Sequence, residues 1–260
     1  MDWALIGTAT GASAAAGLAT GAGALPVLAV RNILPRLQSA FLGFAAGVML
    51  AASFFSLILP GLEAAATAGS TRAMAAATVG AAILIGAFTL QLVNHYAPHE
   101  HFIIGPNRTA ATFRMQRIWL FVIAITLHNF PEGLAVGVSF GGGNIDNGIS
   151  TALGIGLQNV PEGLAVALSL ALAGYSRLFS VGVALLTGLV EPIGGFLGIW
   201  AVSSSLFLLP WGLGFAAGAM IWVVSSEIIP ETHREGHQES ATVALMTGLV
   251  LMLFLDWTLG

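Results

Sequence analysis

The chain has no cysteine and no lysine among its 260 residues, and only 8% of its positions carry a charge. Without cysteine there are no disulfides, no thiolate metal sites and no thiol redox chemistry. An ordinary soluble domain carries about 25% Asp, Glu, Lys and Arg, so this chain has too few charges to cover a water-facing surface. A formal net charge of −4 excludes an electrostatic partnership with nucleic acid. Met1-Asp2-Trp3 supplies no positive n-region and the apolar run behind it is long, so no cleaved signal peptide is expected.

What is present is apolar. Hydrophobic residues make up 57% of the chain and the mean hydropathy is +0.90, so most of the surface is expected to face lipid. The 33 glycines suit helices whose backbones approach closely in a membrane. A bilayer crossing takes about 20 apolar residues, and eight such stretches are legible: 3–30, 38–61, 72–96, 115–140, 148–173, 177–202, 206–232 and 240–259. The links are too short for a second domain, so residues 1–260 read as one all-α, polytopic membrane domain. Arg31, Arg36, Arg108, Arg114, Arg117, Arg177 and Arg234 fall in the loops after spans 1, 3, 5 and 7, and Arg72 falls on the other face. Basic loops stay in the cytoplasm, which puts both termini on the extracytoplasmic side.

Two repeats organise the chain. Leu-Gly-Phe-Ala-Ala-Gly-Val-Met (Leu42 to Met49) in span 2 returns as Leu-Gly-Phe-Ala-Ala-Gly-Ala-Met (Leu213 to Met220) in span 7, each followed by a proline, Pro60 and Pro230. Spans 2 and 7 cross in opposite directions, so this is an inverted repeat, as in many secondary transporters. It pairs spans 1–3 with 6–8 around a central hairpin, a 3+2+3 arrangement. The hairpin holds the second repeat: His-Asn-Phe-Pro-Glu-Gly-Leu-Ala-Val (128–136) and Gln-Asn-Val-Pro-Glu-Gly-Leu-Ala-Val (158–166), with Glu191-Pro192 in span 6.

Residues four apart share a helix face. His128 therefore stands one turn from Glu132, and Gln158 one turn from Glu162, with Asn129 and Asn159 at three-residue spacing from the same glutamates. All lie near mid-span. A carboxylate at the bilayer centre costs about 2.5–3.5 kcal/mol or more, and no Arg or Lys lies nearby to pair with Glu132, Glu162 or Glu191. Divalent cations would neutralise them, and imidazole, amide and carboxylate ligands suit Zn²⁺ and other first-row divalents such as Fe²⁺ and Mn²⁺, as well as Cd²⁺. Pro131, Pro161 and Pro192 remove donors from the carbonyls of Leu127, Leu157 and Gly188, so kinks are expected there. Rival readings are a proton relay of protonated glutamates and a membrane metalloenzyme or receptor with a fixed metal. No His-Glu-x-x-His pattern supports an enzyme, and no organic cofactor is called for.

H-N-F-P-E-G-L-A-V-G at 128–137, Q-N-V-P-E-G-L-A-V-A at 158–167 and E-P at 191–192 resemble the ZIP (Zrt-/Irt-like) family of divalent metal transporters. The likeness runs from about Ala40 to Gly260 and includes F-L-G-F-A-A-G-V-M-L-A-A-S at 41–53, P-H-E-H at 98–101 and F-L-D-W-T-L-G at 254–260. It is nearest to the bacterial GufA-type branch. The resemblance implies eight helices in a bacterial inner membrane and zinc passage into the cytoplasm by alternating access. Spans 1, 4, 5 and 6 would move against 2, 3, 7 and 8, often within a homodimer. It also implies two metal sites. One lies among His128, Glu132, Gln158, Glu162 and Glu191; the other lies at Asn129 and Asn159 with the glutamates bridging. Near relatives carry Asp where Asn159 stands, so the second site lacks one anionic ligand here.

Further residues could line a pathway. Met49 at mid-span 2 is either pathway or packing. Glu63 and Asp256 lie near the outer ends of spans 2 and 8, where they could draw cations in or simply be solvated. Glu227, toward the inner end of span 7, could be an exit ligand, beside Ser226 where near relatives carry His. His95, His99, Glu100 and His101 form a cluster with metal-ligand chemistry in the third loop. His233 and His237 share a face if helix continues there, among Glu231, Glu235 and Glu239.

Overall fold

In a computed structural model, which describes residues 2–29, 35–96, 110–234 and 236–259, the described residues form helices and short turns with no strand. Helix α1 (Trp3–Ala24) starts where the Asp2 carboxylate accepts from the backbone N–H of Ala4 and Leu5, and a 3-10 turn, Leu25–Leu28, extends it. Helix α2 (Pro35–Ala52) passes through a π-helical segment, Ser53–Ile58, into α3 (Leu59–Thr67). Helix α4 (Arg72–Tyr96) follows, then α5 (Ala110–Ser139) and α6 (Ile145–Leu172). A turn at Gly141–Gly143 joins the last two, and Gly142 and Gly143 take φ of 69° and 82° there. Such angles suit glycine because other residues meet a Cβ clash.

Span 6 is two helices, α7 (Arg177–Gly188) and α8 (Glu191–Ser204). Span 7 repeats the span 2 pattern, with α9 (Leu209–Val223), a π segment Val224–Ile228 and α10 (Ile229–Arg234). Helix α11 (Gln238–Leu259) ends the chain. Seven helical stretches among the described residues are long and apolar enough to cross a membrane, which makes this an all-α polytopic membrane protein. Ala110–Ser139 is not among the seven; it carries the polar His128 to Glu132 motif, and many side chains of its first half lie outside the described set.

Contacts divide the helices into two groups. Helices α1, α5, α6, α7 and α8 pack on one another, and so do α2, α3, α4, α9, α10 and α11. The groups meet mainly where α2 and α11 touch α6 and where α5 touches α9. Glycines of the repeated motif make the second group tight. A Cβ on Gly43 or Gly47 would fall on backbone of α11, and a Cβ on Gly218 would fall on the Ile83 carbonyl of α4. In lipid, where apolar contact alone gains little, such backbone approach and dispersion hold helices together. The pairs α2–α11 and α9–α4 thus repeat one packing, as the inverted repeat requires.

The two π segments complete the likeness and explain a mismatch. Pro60 follows Met49 by 11 residues, whereas Pro230 follows Met220 by 10. The π segment of span 2 has 6 residues and that of span 7 has 5. A π turn accommodates an added residue without breaking the helix, so the extra residue is absorbed there.

Candidate metal site

Helix α5 brings His128, Asn129 and Glu132 to the interior, α6 brings Gln158, Asn159 and Glu162, and the first residue of α8 is Glu191. All seven are buried, Glu132 and Glu191 completely. Glycine sets the spacing of these helices. A Cβ on Gly133 would land on the Glu191 backbone, and one on Gly163 would land on the Thr20 carbonyl of α1. The helices therefore lie at backbone contact. The three glutamates are close enough to feel one another's charge.

Two amides donate to the carboxylates. The Gln158 Nε2 donates to Glu132 Oε1. The Asn159 Nδ2 donates to Glu191 Oε1 at 2.7 Å and to the Ala16 carbonyl at 2.8 Å. The Ser13 hydroxyl donates to the Glu191 carbonyl at 2.9 Å, fixing α8 against α1. Seven oxygens remain without a hydrogen-bond donor: Glu132 Oε2, Glu191 Oε2, both oxygens of Glu162, and the amide oxygens of Asn129, Gln158 and Asn159. Buried acceptors left so cost on the order of 1–3 kcal/mol each, more when charged. Acceptor oxygens outnumbering donors this heavily are the chemistry of a cation site.

Among the described residues, no three His, Asp or Glu side chains close on one point as a metal-ligand set. Two of the acids instead accept from amides, Glu132 from Gln158 and Glu191 from Asn159. Half a turn about the last side-chain bond of Gln158 or Asn159 would exchange donor N–H for acceptor oxygen, so the same residues can face either a carboxylate or a cation.

The prolines behave differently from one another. Helices α5 and α6 continue as helix through Pro131 and Pro161, whereas span 6 is interrupted just before Pro192. Leu189 and Val190 form the turn, and Pro192 occupies the second position of α8. A missing N–H is harmless there, because the first N–H groups of a helix have no internal partner. Glu191 consequently sits at a helix N-terminus, whose partial positive charge favours an anion.

The remaining candidates scatter. Met49 is buried in an apolar cluster with its repeat counterpart Met220. Glu63 is exposed on α3. Asp256 is half-buried and accepts from the Ser56 hydroxyl at 2.6 Å. Glu227 falls in the second π segment, and His95 in the last turn of α4; their side chains lie outside the described residues, as do His99, Glu100 and His101 entirely. His233 is on α10, its side chain likewise outside the described set, and His237 precedes α11.

Sequence reasoning missed two features. Helix α1 lays Ser13, Ala16 and Thr20 along one face against the site, a run of small residues at helical spacing that could have signalled it. The other is a bridge between the two helix groups. Asn147 of α6 donates to the Ser56 carbonyl at 3.1 Å and to the Ser139 carbonyl at 3.4 Å. Ser56 belongs to the first π segment, where altered pairing leaves carbonyls available.

Comparison with known proteins agrees with this picture. The model of the family described as "ZIP Zinc transporter" matches residues 105–256. A protein named zinc transporter GufA, from Myxococcus xanthus, is 47% identical over 249 residues, covering 96% of this chain and 98% of the relative. Zinc transporter ZIPB of Bordetella bronchiseptica is 49% identical, over 98% of this chain and 82% of its own length. Zinc transporter ZIP11 of Homo sapiens is 33% identical over 93% of this chain and 94% of its own.

Proposed function

The chain belongs to the ZIP family, and from that membership we propose that it carries Zn²⁺ across a bacterial inner membrane into the cytoplasm. The observation that carries this reading is the buried set of donor-less oxygens from Glu132, Gln158, Asn159, Glu162 and Glu191. His128 and Asn129 complete the ligand set in our reading, and Cd²⁺, Fe²⁺ and Mn²⁺ suit the same ligands. Glu132, Glu162 and Glu191 bind the ion by charge. Gln158 and Asn159 turn their oxygens toward it and their N–H groups back to the acids as it leaves. An exchange of this kind keeps the carboxylates partnered in both conditions, which lowers the barrier to release.

Alternating access would come from the α1, α5, α6, α7 and α8 group moving against the other, since the site lies wholly within the first. The arginine distribution orients the chain with both termini outside. The family resemblance implies a single transport domain assembled as a homodimer. With Asn159 in place of an aspartate, the second metal position is the weaker of two.

Proteoliposomes loaded with a zinc-sensitive dye test the reading. Glu132→Ala and Glu162→Ala are expected to abolish uptake that the parent chain supports. Uptake undiminished in both variants refutes the site. Zinc that co-purifies with a parent chain unable to fill vesicles would point instead to a structural metal.

A further inference from the structure

A cavity of about 710 Å³ opens on the seam between the two helix groups, and none of Glu132, Glu162 and Glu191 lines it. The first turns of α2 and α11 form its mouth with Arg36 and Glu239; below them Phe41 and Phe44 of α2 face Leu157 and Val160 of α6. Apart from the mouth the lining is overwhelmingly apolar, and the volume is that of a site for a sizeable organic ligand. Arg36 and Glu239 are both exposed, and neither is ion-paired among the described residues. Two opposite charges at the head of an apolar slot, at the ends of membrane helices, match one kind of molecule.

We propose that this cavity binds phosphatidylethanolamine, with an acyl chain in the slot, the phosphate at Arg36 and the primary ammonium at Glu239. The head group selects the lipid. Phosphatidylglycerol has no cation for Glu239 and brings its negative phosphate toward that carboxylate. Phosphatidylcholine carries a quaternary ammonium with no N–H to donate. The site also has a mechanical position. Leu157, Val160 and Pro161 line it from the same turns of α6 that carry Gln158, Asn159 and Glu162 on the opposite side. A lipid seated there separates α6 from α2 and α11 at this end and favours the arrangement with the seam open. That effect on transport rests on the two-group reading above; the binding does not.

Native mass spectrometry of the whole protein in neutral detergent, with equal amounts of phosphatidylethanolamine, phosphatidylcholine and phosphatidylglycerol, reads the preference. One phosphatidylethanolamine is expected to be retained about fivefold over each competitor, the factor that one charge contributes at a lipid head group. Arg36→Ala and Glu239→Gln should each erase that ratio, and Ala244→Trp, which fills the slot, should remove the bound lipid. Thermal unfolding of each variant establishes that it is folded. Equal retention of the three lipids overturns the proposal, as does a preference that survives both charge variants or retention that survives Ala244→Trp. Zinc uptake in vesicles with and without phosphatidylethanolamine then separates this result from the transport reading. Preference without any effect on uptake keeps the site and refutes only its mechanical role.

Discussion

Introducing a carboxylate at position 159 should make the metal-stripped protein weaker and its response to zinc larger. The Asn159 amide nitrogen donates to both the Ala16 carbonyl and the Glu191 carboxylate. Asn159→Asp removes both donations. A bond to a neutral carbonyl is worth about 1 kcal/mol net and one to a charged group about 1.5–3, so the loss is roughly 2.5–4 kcal/mol. Repulsion between Asp and Glu191, now side by side, adds to it. On the scale of about 2–4 °C per kcal/mol for a large domain, Tm in chelator should fall on the order of 5–15 °C. Zinc reverses the sign of the effect, because the added carboxylate becomes an extra anionic ligand where it had been an uncompensated charge. The gap between Tm with zinc and Tm with chelator should therefore widen, and zinc bound per chain should rise. Fluorescence-detected unfolding in detergent, with elemental analysis of the bound metal, measures both. An unchanged Tm in chelator would show that the Asn159 bonds carry no stability. A zinc response no larger than the parent's would refute position 159 as a ligand.

Three further outcomes follow from the same geometry. Gly163→Ala forces a Cβ onto the Thr20 carbonyl and should cost about 1–3 kcal/mol. Gly182→Ala, whose Cβ meets nothing within 4 Å, should stabilise α7 by about 0.5–1 kcal/mol; paired melting curves that move together would contradict the packing described. Asn147→Leu takes the donor from the Ser56 and Ser139 carbonyls and should loosen the contact between the helix groups. Because the chain has no cysteine, Ser53→Cys gives a single label site, and its reaction with an impermeant maleimide added outside should quicken severalfold when Asn147→Leu is present. An unaltered rate would rule out the bridge as a closure.

Much of this was legible from local pattern alone. Charge scarcity and apolar run length mark membrane helices because the bilayer imposes its thickness on each segment separately. The residues that α5 and α6 bury together could be picked out because three- and four-residue spacing fixes a helix face regardless of what packs against it. The repeat in Leu42 to Met49 and Leu213 to Met220 pointed to paired halves, and its glycines turn out to serve equivalent helix contacts.

Tertiary structure decided what depends on the partner across the interface. Met49 looks the same in sequence whether it lines a path or packs, and only the fold places it in a buried apolar cluster that also holds Met220. Three Glu-and-Pro positions look alike, yet only span 6 opens, because Glu191 and Pro192 begin a helix while Pro131 and Pro161 lie within one. The bridge from Asn147 to Ser56 and the support of Glu191 and Asn159 by α1 join residues from 91 to 178 positions apart. Periodicity along one helix names a face but carries no information about the backbone carbonyl that waits opposite it.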